Sequence, residues 1–146
     1  VNSLRLVVAV VAAIVLLVLG AIHVRWAFHG NVEQSSGLPT RHDGSLLFRP
    51  GKGSTLAVAV ALAIAAYIVL GGAAVAPPII GTTAVYHIGT LGVGTVFALR
   101  VVGEFRYVGL FKRVRSTAFA RLDTRLFTPL CAAIAAAAFY VALADR

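Results

Sequence analysis

Residues 4–26 read LRLVVAVVAAIVLLVLGAIHVRW, and between Arg5 and His23 this stretch contains nothing but Val, Ala, Ile, Leu and one Gly. A bilayer hydrocarbon core about 30 Å thick needs roughly 20 helical residues to cross it, and only a helix satisfies every backbone amide there. The run is therefore expected to be a transmembrane span. It is too long for a signal-peptide core, has no small-residue cleavage pattern before His23 and is followed by further apolar runs, so it reads as retained.

Three other stretches have the same character. Residues 54–75 are Ala-rich, open on the capping pair Ser54 and Thr55 and stop before Pro77 and Pro78. Residues 83–102 form a third span. Residues 126–144 form a fourth, with Pro129 placed in its first turn, where a missing amide donor costs little. The fold expected is all-α, one domain over residues 1–146, with four transmembrane helices in an antiparallel bundle.

Composition agrees with this reading. Of 146 residues 60% are hydrophobic and only 12% charged, against about 25% charged in soluble domains. The formal net charge of +8 comes from 13 Lys and Arg that lie almost wholly between the apolar runs. This suits anionic lipid headgroups; no polar stretch is long enough to build a nucleic-acid module, so nucleic acid is not an expected partner. A single cysteine, Cys131, excludes an intramolecular disulfide and a cysteine metal cage.

With four crossings, loops 27–53 and 103–125 share one side and both termini the other. The loops carry Arg41, Arg49, Lys52, Arg106, Lys112, Arg113, Arg115, Arg121 and Arg125, against Arg5 and Arg146 on the terminal side. The positive-inside rule makes the loops cytoplasmic and the termini external, in a cytoplasmic (inner) membrane. Small residues mark the expected helix seams: Gly89, Gly92 and Gly94 in the third span, Ala132, Ala133 and Ala135–Ala138 in the fourth, and alternating alanines from Ala57 to Ala66 in the second.

Candidate chemistry gathers where the first and third spans end on the loop side. His23 and Trp26 share a helical face, Arg25 and His29 follow, and Arg100 and Glu104 share a face by the same spacing. A charge inside hydrocarbon is costly, so Glu104 is expected to neutralise Arg100, His23 or a basic residue of the following segment. The ligand-binding candidates are His23, Trp26, Arg100, Glu104, Arg106 and Tyr107. No catalytic residue, metal site or cofactor is indicated: His87 sits at the far end of the bilayer from His23, and His29 and His42, with Glu33 and Asp43, fit no metal spacing. Gly51-Lys52-Gly53-Ser54-Thr55 lacks the glycine placement and preceding strand of a phosphate loop. Ser35, Ser36 and Ser45 stand in no nucleophile motif.

Residues 104–127, EFRYVGLFKRVRSTAFARLDTRLF, alternate apolar and basic groups on a helical scale, with six basic residues against two acidic. Phe119, Leu122 and Leu126 fall on one face, Arg121 and Arg125 on another. The segment is expected to lie along the membrane surface as one or two short amphipathic helices, with Lys112, Arg113, Arg115, Arg121 and Arg125 toward lipid headgroups.

The run Leu99-Arg100-Val101-Val102-Gly103-Glu104-Phe105-Arg106-Tyr107-Val108-Gly109-Leu110-Phe111-Lys112-Arg113, followed by Thr117, Phe119-Ala120-Arg121-Leu122-Asp123-Thr124 and Pro129-Leu130-Cys131, resembles a bacterial membrane family catalogued as domain of unknown function 3995. His23, Trp26 and Leu47-Phe48-Arg49-Pro50-Gly51 fit the same pattern. The resemblance implies four spans and no stated activity. Its polar motif maps onto His23, Trp26, Arg100, Glu104, Arg106, Tyr107, Lys112, Arg113, Arg121 and Asp123, with Glu104 where the family is expected to favour Asp.

The leading expectation is a small helical membrane protein that binds a lipid, a quinone-like or other amphipathic ligand, or a larger membrane complex, through its loop-side polar cluster. The alternatives are an oxidoreductase-like enzyme moving protons through His23 and Glu104, and a small transporter that must form a homo-oligomer.

Overall fold

A computed structural model describes residues 2–30 and 37–144 of the chain; Glu33, Ser35, Ser36 and Arg146 lie outside the described residues. Four helices are long and apolar enough to cross a membrane: α1 (Ser3–His29), α2 (Lys52–Gly72), α3 (Thr83–Val102) and α4 (Ala118–Leu143). They run up and down in chain order, each packed on its sequence neighbours, with α4 closing back on α1. The fold is all-α, as the four apolar runs require. The ends of α1 and α3 do not meet as expected, because α1 and α3 stand diagonally in the bundle and do not pack on each other.

The interior is built of small residues. Ala9, Ala12, Ala13, Leu16 and Gly20 of α1 recur at helical spacing and are buried; Ala66 and Val69 of α2 with Ala73 just past its end, Val93 of α3, and Ile134, Ala138 and Val141 of α4 complete the core. Large apolar side chains instead cover the outside, among them Val11, Ile14, Leu17 and Val18 of α1 and Ile88, Val96 and Leu99 of α3. Such an exterior fits a multi-pass membrane protein, where lipid solvates the large side chains and close backbone approach joins the helices.

At the seams, Gly89 lies against Ile68 and Gly94 against the Phe139 ring, as expected. Gly92, however, has no atom near where its Cβ would be, and Ala132, Ala133 and Ala136 are exposed, so these small residues mark no seam. The closest approach involves two glycines at the end of α2. A Cβ on Gly71 would overlap the Tyr86 ring, and one on Gly72 would overlap Thr90. The Tyr86 hydroxyl accepts the amides of Ile79 (2.9 Å) and Ile80 (3.3 Å), so this packing also anchors the α2–α3 hairpin.

Helix ends differ from the sequence expectation where backbone chemistry intervenes. α2 starts on Gly51, which supplies no side-chain cap; Ser54 and Thr55 lie inside the helix and donate their hydroxyls to Gly51 O at 2.8 and 3.1 Å. α4 begins eight residues before Leu126, at Ala118, capped by the Thr117 hydroxyl. Pro129 is thus inside α4 and cannot donate to the carbonyl four residues back. The helix widens into a π turn over Asp123–Phe127, and the Thr128 amide donates to Asp123 O, five residues back. Arg5, at the opposite end of the bundle, donates to Val141 O (2.8 Å) and Gly72 O (2.7 Å) and so ties the last turns of α4 and α2 to α1.

Candidate functional site

Two polar constructions occupy the loop end, one on each side of the bundle. The first is centred on Asp123, which is fully buried at the start of the π turn. Its Oδ1 accepts Arg100 Nη2 at 2.7 Å, and its Oδ2 accepts Lys112 Nζ at 2.9 Å, the Gly109 amide at 3.0 Å and the Thr128 hydroxyl at 3.2 Å. One carboxylate therefore joins α3, α4 and the connecting segment.

That segment is not the surface helix expected for it. Residues 103–117 form a non-helical strap that folds back on the helix ends. Leu110 N donates to Val101 O at 2.8 Å, and the Arg113 and Val114 amides both donate to Arg106 O. The turn-back rests on Gly103 and Gly109, with φ of 80° and 86°. A Cβ on Gly109 would lie 2.6 Å from Gly103 Cα, and one on Gly103 would overlap the Val108 carbonyl. Only glycine allows this backbone-on-backbone contact.

Gly103 also removes Arg100 from the partners expected for Glu104. It ends α3 with a positive φ, so Glu104 does not continue the helical face of Arg100. Glu104 is exposed and accepts the amides of Tyr107 and Val108, capping the strap's first turn. The neutralising acid is Asp123. Lys112, expected among headgroups, is instead buried, donating to Asp123 and to Gly109 O at 2.9 Å. Arg106, Arg113, Arg115, Arg121 and Arg125 are exposed, and the Arg106 guanidinium lies 5.3 Å from the Tyr107 ring.

The second construction lies between α1, α2 and the chain leading into α2. His23 and Trp26 pack with ring centroids 5.1 Å apart, as their one-turn spacing implies. With Phe48, Arg49, Gly51 and Val58 they line a cleft of about 540 Å³. His23 Nδ1 is 2.8 Å from Leu19 O; a carbonyl only accepts, so Nδ1 carries the proton of that bond and Nε2 is the ring's remaining polar atom. Neither Arg100 nor Glu104 lines this cleft, so the structure divides the residues expected to form one cluster into two.

Sequence reasoning missed Asp123 as the hub and Phe48 and Arg49 as cleft residues. Asp123 is 23 residues from Arg100, and nothing local shows that the strap reverses to bring them together. Gly103 was the available signal, because a glycine just past an apolar run is a common helix stop. Elsewhere in the loops, Asp43 accepts the Ser45 amide (2.9 Å) and hydroxyl (2.6 Å), bonds that hold its carboxyl below the ordinary carboxylate range. The turn they fix faces Ser116 and Thr117 across a polar hollow.

The chain belongs to a family described as "Protein of unknown function (DUF3995)", whose profile matches residues 16–138. The match takes in both constructions, from His23 and Trp26 through Arg100 to Asp123. Searches of curated proteins and of solved structures found no match.

Proposed function

We propose that the protein binds an amphipathic, membrane-soluble molecule in the cleft between α1 and α2. The observation that carries this reading is the cleft itself. At about 540 Å³ it falls within the range of about 300–1,000 Å³ typical of small-molecule sites. Its wall combines apolar surface from Trp26, Phe48, Pro50 and Val58 with a few polar groups, among them His23 and Arg49. Phe48 and Val58 are also exposed on the outer surface (51% and 44%), so the apolar wall runs on to the outside of the bundle. A molecule dissolved in the bilayer could enter sideways with its tail in contact with lipid throughout.

The Asp123 construction supports the same division of roles from the other side. Its carboxylate has four donors on it, and its function is to hold the strap to α3 and α4. The exposed arginines of the strap and of early α4 suit the anionic surface of a cytoplasmic leaflet, each contributing about 1 kcal/mol near such a surface. In this orientation both termini are external. Ser116, exposed on the strap, tests it: in a Cys131→Ser background, Ser116→Cys should resist an impermeant thiol reagent in intact cells and react after permeabilisation.

Photo-crosslinking tests the binding site. A diazirine-bearing amphiphile in membranes should label peptides containing residues 23–26 and 48–58. Val58→Phe, which fills the cleft from a half-exposed position, should remove the labelling without lowering the melting temperature. Labelling spread evenly over all four helices, unchanged by Val58→Phe, would contradict the proposal.

A further inference from the structure

The one charged side chain in the cleft wall among the described residues is basic, Arg49, and no acidic side chain lines it there. His23, whose Nδ1 proton goes to Leu19 O, presents Nε2 as an acceptor. The start of α2 adds backbone donors. Its N-cap, Gly51, has no side chain to turn inward, and the Ser54 and Thr55 hydroxyl protons are already spent on Gly51 O. The first intrahelical bond, from Thr55 N to Gly51 O (3.1 Å), leaves the amides of Lys52, Gly53 and Ser54 without partners among the described residues. Gly51 and Ser54 are both in the cleft wall. Lys52 and Gly53 are not in that wall, so the group in the cleft that complements an oxyanion is the Arg49 guanidinium, with the Ser54 amide the one open amide that belongs to a wall residue.

The other walls set the rest of the ligand. Trp26 and Val58 supply apolar surface on two helices, and that surface continues outside at Val58 and Phe48. A free inorganic anion would leave these walls wet. Resting on the reading of the cleft as a binding site, we infer that its ligand is an amphiphile with an anionic phosphate-type head, held by Arg49, with its hydrocarbon tail directed between α1 and α2 toward lipid.

Trp26 is the chain's sole tryptophan and lines the cleft, so its fluorescence reports occupancy. The protein would be placed in phosphatidylcholine nanodiscs and titrated with 1-oleoyl lysophosphatidic acid, with 1-oleoyl glycerol, which differs only by the phosphate, and with glycerol phosphate, which lacks the tail. The charged lipid should bind about tenfold more tightly than the uncharged one, the gain expected of a charge-assisted contact. Arg49→Ala should cut the preference to about threefold or less, and Arg49→Lys should retain most of it; Arg49 is exposed, so neither change should alter the melting temperature. Equal affinity for the two lipids, with Arg49→Ala matching wild type, would overturn the anionic head while leaving the cleft as a binding site. Glycerol phosphate binding as tightly as the lipid would overturn the amphiphile. If neither lipid changed Trp26 emission, the cleft reading would itself fall, and this inference with it.

Discussion

The two sides of the loop end solve the same problem in opposite ways. Both place polar groups at the edge of an apolar bundle, where an unsatisfied group is expensive. On the α3–α4 side the carboxylate is fully engaged: Asp123 accepts from Arg100, Lys112, Gly109 and Thr128 and is sealed from solvent, and Arg100 Nη1 is the buried atom of the cluster left without a partner among the described residues. The α1–α2 side is open. His23 keeps one ring nitrogen without a partner among the described residues, the α2 N-terminus has no side-chain cap, and a cleft stands between them. The denser charge cluster is the closed one, so a concentration of charged motif residues here marks a structural clamp, and the sparser side has room for a ligand.

The largest expected effect would come from breaking the clamp at its hub. Asp123→Asn leaves Lys112 buried beside a neutral group and weakens the hold on Arg100; loss of one partner from a buried charge pair costs about 3–5 kcal/mol. Its melting temperature in detergent should fall steeply, whereas Glu104→Gln should cost less than about 1 kcal/mol, because a glutamine oxygen can still accept the Tyr107 and Val108 amides. Equal melting temperatures for the two variants would remove Asp123 from the centre of the account.

A glycine pair sharpens the comparison at the backbone level. Gly103→Ala puts a methyl group into the Val108 carbonyl at a positive φ and should destabilise by about 2 kcal/mol or more. Gly92→Ala, on the open face of α3, should be neutral or stabilise by up to about 1 kcal/mol from helix propensity. Thermal melts of the two proteins side by side would measure the contrast.

The smallest effect on stability should come from the open side. His23→Ala removes one bond to a carbonyl of its own helix, worth about 1 kcal/mol or less. The melting temperature should barely move, while amphiphile binding weakens. A drop as large as that of Asp123→Asn would make His23 a structural residue.

The sequence showed the spans because hydropathy acts locally, and the boundaries of α3 coincide with the apolar run itself. The His23–Trp26 contact was legible for the same reason, since helical spacing alone brings the two rings together. The start of α4 was not. Pro129 looked like a first-turn residue, and only the π turn before it shows how a helix can carry a proline in its interior. The Asp123 hub is hidden by distance along the chain, and the helical spacing that relates Glu104 to Arg100 stops applying at Gly103. The cleft depended on Phe48 and Arg49 returning from the loop to α1, an arrangement no local pattern encodes.

The central claim, that the open side holds a ligand and the closed side holds the fold, is tested most directly by native mass spectrometry of protein released from its own membrane. Wild type should carry a bound amphiphile as a discrete added mass. Val58→Phe should lose that mass at an unchanged melting temperature. An identical adduct on both proteins, or none on wild type under conditions that preserve lipid contacts, would contradict the account.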